Sequence, residues 1–166
     1  LSGCYAVKLQ RIFPSVRKSY LNNLKIWKTN PSEFERQLVA YLVKREPSFF
    51  RWHVSGDIPS QAYWHMMERI AVQFPAIKFL AFTKTAYGSR NKPANLSVVR
   101  SIWNHLADSA PAAMPRAYMR DKHNPDPRIP ADARPCPGNC SSCGMCWSLK
   151  SGKGLMRGES VVFDKH

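Results

Sequence analysis

The sequence predicts an α/β fold, either a parallel sheet or a partial (β/α) barrel, with a C-terminal cysteine-rich metal loop. Three observations carry that reading. Amphipathic helical stretches alternate with short strand-like runs through the first 107 residues, the order that favours parallel strands. The run Phe79-Leu80-Ala81-Phe82-Thr83 is almost wholly apolar, as suits a strand covered on both faces. Four of the five cysteines lie between Cys136 and Cys146, a poor disulfide framework and a good metal site.

Taken in order, Pro14 suits the first turn of a helix, along which Val16, Tyr20, Leu24 and Trp27 recur at near-helical spacing. Arg17, Lys18, Lys25 and Lys28 lie mostly elsewhere on it, so the helix is basic and amphipathic, with Tyr20 and Trp27 on its packing stripe. Asn30 as N-cap, Pro31 and Glu33 announce a second helix with Phe34, Leu38, Tyr41 and Leu42 as its stripe, and Pro47 stops it. Phe49 to Val54 reads as a strand with Phe50, Trp52 and Val54 on one face and Arg51, His53 and Ser55 on the other. Gly56-Asp57 turns the chain. Ser60 then caps a helix that packs through Tyr63, Met66, Met67, Ile70 and Phe74 before Pro75 closes it.

Phe79 to Thr83 and Leu96 to Arg100 are the next strands, and Ser160 to Phe163 offers a last short one. Between Asp108 and Arg134 the text turns to Ala, Pro, Met, Arg and Asp, which predicts an extended path over the surface. The expected organisation is an α/β core over 1–107, a proline-rich surface excursion over 108–135 and a cysteine-rich loop with terminal strand over 136–166. All three belong to one domain. Leu1 stands where a methionine would, so the chain reads as a fragment lacking its N-terminus.

Twenty-five Lys and Arg against eleven Asp and Glu give a net charge of +14, a field that favours a polyanionic partner such as nucleic acid. No apolar stretch approaches the ~20 residues that span a bilayer, so no membrane partner is expected. Clustered thiols point to a reducing cytoplasm.

Chemistry is expected at two places. Cys136, Cys140, Cys143 and Cys146 follow a C-x3-C-x2-C-x2-C pattern. Such C-x2-C intervals within one short loop suit a [4Fe–4S] iron–sulfur cluster, whereas structural zinc, the alternative, usually draws on two separated knuckles. Cys4 is a candidate fifth ligand or a buried inert thiol. The second place is the carboxyl ends of the strands, where parallel sheets bind ligands. His53, Asp57 and Lys84 are the candidate catalytic residues there, with Arg51, Ser55, Thr83 and Arg100 for an anionic substrate. The alternative for His53 and Asp57 is a hydrogen-bonded pair that fixes the turn.

Phe50-Arg51-Trp52-His53-Val54-Ser55-Gly56-Asp57-Ile58, Phe79 to Lys84, Asn95-Leu96-Ser97, Cys4-Tyr5-Ala6 and the closing cysteine run together resemble the uncharacterised phage gene-product-88 family over nearly the whole chain. A weaker resemblance, through Cys4-Tyr5 and Gly56-Asp57, is to radical S-adenosylmethionine enzymes, although the C-x3-C-x2-C motif is absent around Cys4. That second resemblance implies S-adenosylmethionine as a cofactor and a redox or radical enzyme acting near nucleic acid. A zinc-stapled basic module that binds nucleic acid without catalysis is the alternative.

Overall fold

A computed structural model describes residues 5–87, 91–102, 108, 111–147 and 158–164. The chain divides into two compact units, Leu1–Pro47 with His166, and Ser48–Lys165.

The first unit is helical: α1 (Tyr5–Ile12), α2 (Pro14–Thr29) and α3 (Pro31–Arg45). Pro14 and Pro31 stand at helix starts, where their missing N–H costs nothing. The Asn30 side chain accepts from the Glu33 N–H at 3.0 Å, and Glu46 at φ 43° turns the chain out of α3 just before Pro47. Trp27 meets Phe34 edge-on at 5.9 Å, so the stripe expected on the basic helix does pack α2 against α3. Even so, α2 contains no fully buried residue. The short α1 was not anticipated from the sequence.

The second unit is an open six-stranded sheet, all parallel, made from β1 (Phe49–Trp52), β2 (Lys78–Thr83), β3 (Leu96–Ile102), β4 (Arg116–Arg120), β5 (Arg134–Pro135) and β6 (Ser160–Asp164). Its order is β1-β2-β3-β4-β6-β5, so the last strand in sequence inserts between the two before it. Register partners share a face. One face therefore carries Phe50, Trp52, Phe79, Ala81, Leu96 and Val98, and the other carries Arg51, Leu80, Phe82, Ser97 and Val99.

The first face meets α4 (Gln61–Gln73), capped by Ser60, whose hydroxyl accepts from the Tyr63 N–H at 3.2 Å. Trp52 stacks on Phe79 at 6.0 Å and meets Tyr63 edge-on at 6.3 Å. Tyr63, Trp64, Met66, Met67, Ile70 and Ala71 of α4 are all buried. The Asn95 amide nitrogen lies within 3.0 Å of the carbonyls of Ala71, Phe74 and Ile77, tying the end of α4 to the start of β3.

Two expectations need correction. The first strand ends at Trp52 rather than Val54, because His53 adopts φ 53° and leaves the extended region. That rotation carries the His53 ring to the α4 side, 5.2 Å from Tyr63, instead of to the face of Arg51. The segment 108–135 does not simply run over the surface, since it contributes β4, with Ala117 and Tyr118 buried, and then β5. Its prolines lie outside β4, at Pro111, Pro115 and Pro125 onward, so the strand itself keeps every ladder N–H.

Candidate functional site

The sequence gathered the polar groups at the strand ends into one crevice, but the sheet distributes them over two faces. Asp57, Thr83 and Arg100 belong to the α4 side. Asp57 Oδ1 accepts from the Ile58 N–H at 2.7 Å and the Thr83 hydroxyl at 2.6 Å, and Oδ2 accepts from the Lys84 N–H at 2.7 Å. Thr83 is fully buried and lies 2.8 Å from the Thr85 hydroxyl; with its own proton given to Asp57, it accepts from Thr85. Arg100 Nη1 donates to the Thr85 carbonyl at 2.8 Å, and its Nε stands 3.6 Å from Asp108, which also binds Arg116 at 2.7 Å. This continuous network knits the ends of β1, β2 and β3 together. The Lys84 side chain is exposed and Ser55, in the loop after β1, is half-buried.

His53 Nε2 lies 3.0 Å from the Tyr63 hydroxyl, and its buried Nδ1 has no hydrogen-bond partner. Burial brings the imidazole down to about 4, with the negative charge of Asp57 opposing the shift. Burial also raises the Tyr63 phenol. At neutral pH the pair is therefore uncharged. Asp57 influences His53 through its charge, but it accepts hydrogen bonds from the backbone and Thr83, which is the geometry of a turn staple.

The opposite face holds the cysteines. Leu80, Val99, Ala117 and Val161, from four adjacent strands, form an apolar bed with Met145 and Trp147, and Cys136, Cys143 and Cys146 pack against it. Cys136 follows β5 directly, its N–H bonded to the Val162 carbonyl at 2.8 Å. The loop then makes a single helical turn, α5 (Cys140–Cys143), which the proline- and glycine-rich text had not suggested. Asn139 caps this turn through the Ser142 N–H at 3.4 Å, and Gly144 ends it at φ 61°, a conformation that suits glycine. The run is thereby folded back over the sheet.

Aromatic side chains wall the loop. Phe82 of β2 and Phe163 of β6 meet edge-on at 5.8 Å over the two strands between them. A flat sheet would separate β2 and β6 by ~14 Å, so the contact requires side chains, strands or both to bend toward this face. Phe49 meets Trp147 at 5.6 Å. The Arg51 guanidinium sits 4.8 Å over the Phe82 ring, and two buried N–H donors, Arg51 Nε and Trp147 Nε1, have no hydrogen-bond partner.

Two of the four thiols, Cys140 and Cys146, are shifted by their surroundings. Burial pushes Cys146 up to about 12, Cys136, Cys140 and Cys143 add to the rise, and Arg51 opposes it. The Cys140 thiol is raised as well, first by loss of solvent, with Arg51 acting against the shift and Cys136 and Cys143 with it. All four are free thiols. Among the described residues, no group of three or more His, Cys, Asp or Glu side chains is already arranged to hold a metal ion. Cys4 lies outside the described residues.

Arg51 was selected from the sequence for anion binding, and it is separated by the sheet from Thr83 and Arg100. Phe82, Phe163, Met145 and Trp147 were not singled out as parts of the site. The one available signal was Arg51 itself, a cation at a strand position opposite in phase to Trp52. Asp108 offered no signal, because its role depends on β3 and β4 lying side by side. No helix among the described residues is long and apolar enough to cross a membrane.

Comparison with curated proteins finds no match, and comparison with solved structures finds none. The sequence profile of Gene product 88 matches residues 1–149, and the chain thus belongs to this phage gene-product family.

Proposed function

We propose that Cys136, Cys140, Cys143 and Cys146 bind a [4Fe–4S] iron–sulfur cluster and that the protein serves as a redox centre. The observation that carries this reading is the gathering of Cys136, Cys143 and Cys146 on one apolar face of the sheet, with Cys140 exposed in the same short loop. When bound, such a cluster supplies one-electron transfer at a potential set by its surroundings.

The chain's own residues supply the rest. Leu80, Val99, Ala117, Val161, Met145 and Trp147 exclude water beneath the loop, and Phe82 and Phe163 flank it. The thiols, among them Cys140 and Cys146 with raised pKa values, bind iron as thiolates, so loading releases protons and weakens as pH falls.

Anaerobic purification followed by iron, sulfide and zinc analysis tests the proposal. A brown protein with stoichiometric iron and sulfide supports it, and replacement of any of the four cysteines by alanine is expected to lower iron content severely. Colourless protein with one zinc per chain would replace the redox centre by a structural staple.

A second reading is favoured by the first unit, where nine Lys and Arg stand against three Asp and Glu and Arg17, Lys18, Lys25 and Lys28 of α2 are all exposed. Under it the helices bind nucleic acid through phosphate contacts. Affinity for single- or double-stranded probes then falls steeply with salt, and an absence of such binding removes this reading.

A further inference from the structure

We propose that the exposed face of α2 is a docking surface for an acidic amphipathic helix of a partner protein, with Leu21 and Leu24 as its apolar centre and Arg17, Lys18, Lys25 and Lys28 as its cationic rim. The inference is independent of the cysteine loop. It goes beyond the nucleic-acid reading by giving the same cations a protein partner, and experiment separates the two.

Helix α2 contains no buried residue. Val16, Tyr20 and Trp27 are half-buried, Trp27 against Phe34 of α3, whereas Leu21 is 55% and Leu24 45% exposed. Three residues apart, the two leucines are neighbours on one side of the helix. Arg17 and Lys25 stand about one turn to either side of Leu21, Lys18 lies three residues before it, and Lys28 follows Leu24 by about one turn. All four cations are exposed. An apolar centre inside a charged rim is the anatomy of a protein interface. The sign of the rim is unopposed as well, because α1 and α2 together hold six Lys and Arg and no Asp or Glu.

The occupant follows from these two properties taken together. A phosphate backbone satisfies the cations but brings no apolar group to cover the leucines. A second copy of this chain would set one +14 molecule against another, cation facing cation. A bilayer interface takes a broad apolar face, and Val16, Tyr20 and Trp27 are already half-buried within the helical unit, which leaves α2 its two leucines. A partner helix with apolar residues one turn apart, flanked by Asp and Glu, covers the leucines and pairs the rim at once. Opposite charge speeds its approach, and the leucines hold it once docked.

Fluorescence anisotropy of a dye-labelled synthetic peptide, helical with Leu on one face and Glu on the others, tests the docking on the whole chain. Saturable binding is expected, about tenfold tighter than that of a peptide of the same composition with its leucines scrambled out of helical period. The double variant Leu21→Gln, Leu24→Gln keeps good helix formers and should bind the first peptide about tenfold more weakly, with circular dichroism unchanged. Should it fail to fold, the charge reversal Lys25→Glu, Lys28→Glu carries at least the same expected loss. Lys44→Gln removes an exposed cation from α3 and should leave binding as it is. Equal binding of the two peptides, undiminished binding by a folded leucine variant, or an equal loss in Lys44→Gln reduces the effect to net charge and overturns the proposal. Tighter binding of a DNA duplex, a DNA single strand or a phosphatidylserine vesicle that itself depends on Leu21 and Leu24 overturns it in favour of that partner.

Discussion

The two faces of the sheet are covered in different ways. On one side, α4 offers six buried side chains and Trp52, Phe79 and Tyr63 interlock ring by ring. On the other, a short loop with half-buried cysteines lies on Leu80, Val99, Ala117 and Val161. Both sides exclude water and both carry buried donors without a hydrogen-bond partner, Arg100 Nε, Trp52 Nε1 and His53 Nδ1 on the first and Arg51 Nε and Trp147 Nε1 on the second, but only the second brings thiols against the apolar layer. A face that gains stability from packing alone has no need of such groups, so their presence separates the face that stabilises the sheet from the face available for chemistry.

The largest effect that sharpens this contrast comes from Phe79→Ala. Phe79 is fully buried between Phe50 and Trp52, and its truncation should cost about 3–5 kcal/mol. Urea unfolding should return the same loss with and without an iron chelator. Trp147→Ala, on the cysteine side, should cost about 3 kcal/mol and also reduce iron retention after gel filtration. A loss of iron in Phe79→Ala at a temperature where it remains folded would erase the distinction between the faces.

Acid should act through the α4 side. His53 has an ordinary value of 6.5 and is brought down to about 4 by burial, so the unfolded chain takes up its proton first. Stability contributed by neutral His53 is complete above pH 6.5, falls as the unfolded state protonates, and is lost by about pH 4. The difference amounts to about 3 kcal/mol at most. Unfolding of His53→Gln measured at both ends of that window should show a shallower pH dependence than the parent, and identical slopes would remove His53 as the cause.

The smallest of these effects belongs to Asp57→Ala. It strips the acceptor from Thr83 and two backbone N–H groups and should cost about 2 kcal/mol. Because the network lies at the strand ends away from the cysteine face, iron content should be unaffected.

Much of this arrangement was readable beforehand, for local reasons. The caps at Asn30 and Ser60, the stop at Pro47 and the packing stripe of α4 depend on hydrogen bonds and spacings within a few residues. The unbroken apolar character of β2 likewise reports burial on both faces. Strand β4 escaped notice because Arg116 and Arg120 bracket a short apolar centre within a proline-rich stretch, and its burial comes from β3 and β6 on either side. The end of β1 escaped notice because a left-handed His53 leaves no mark in residue type.

By itself the sequence determined the parallel α/β class, the starts of α2, α3 and α4 and the grouping of four thiols, since periodicity, capping and short loop spacing are encoded by near neighbours. Only the tertiary structure decided that Arg51 and Arg100 lie on opposite faces and that Phe82 and Phe163 wall the cysteine loop. It also showed that Asp57 is engaged as a staple. These relations depend on the phase of each strand and on the order of strands across the sheet. A single residue of register moves a side chain from one face to the other.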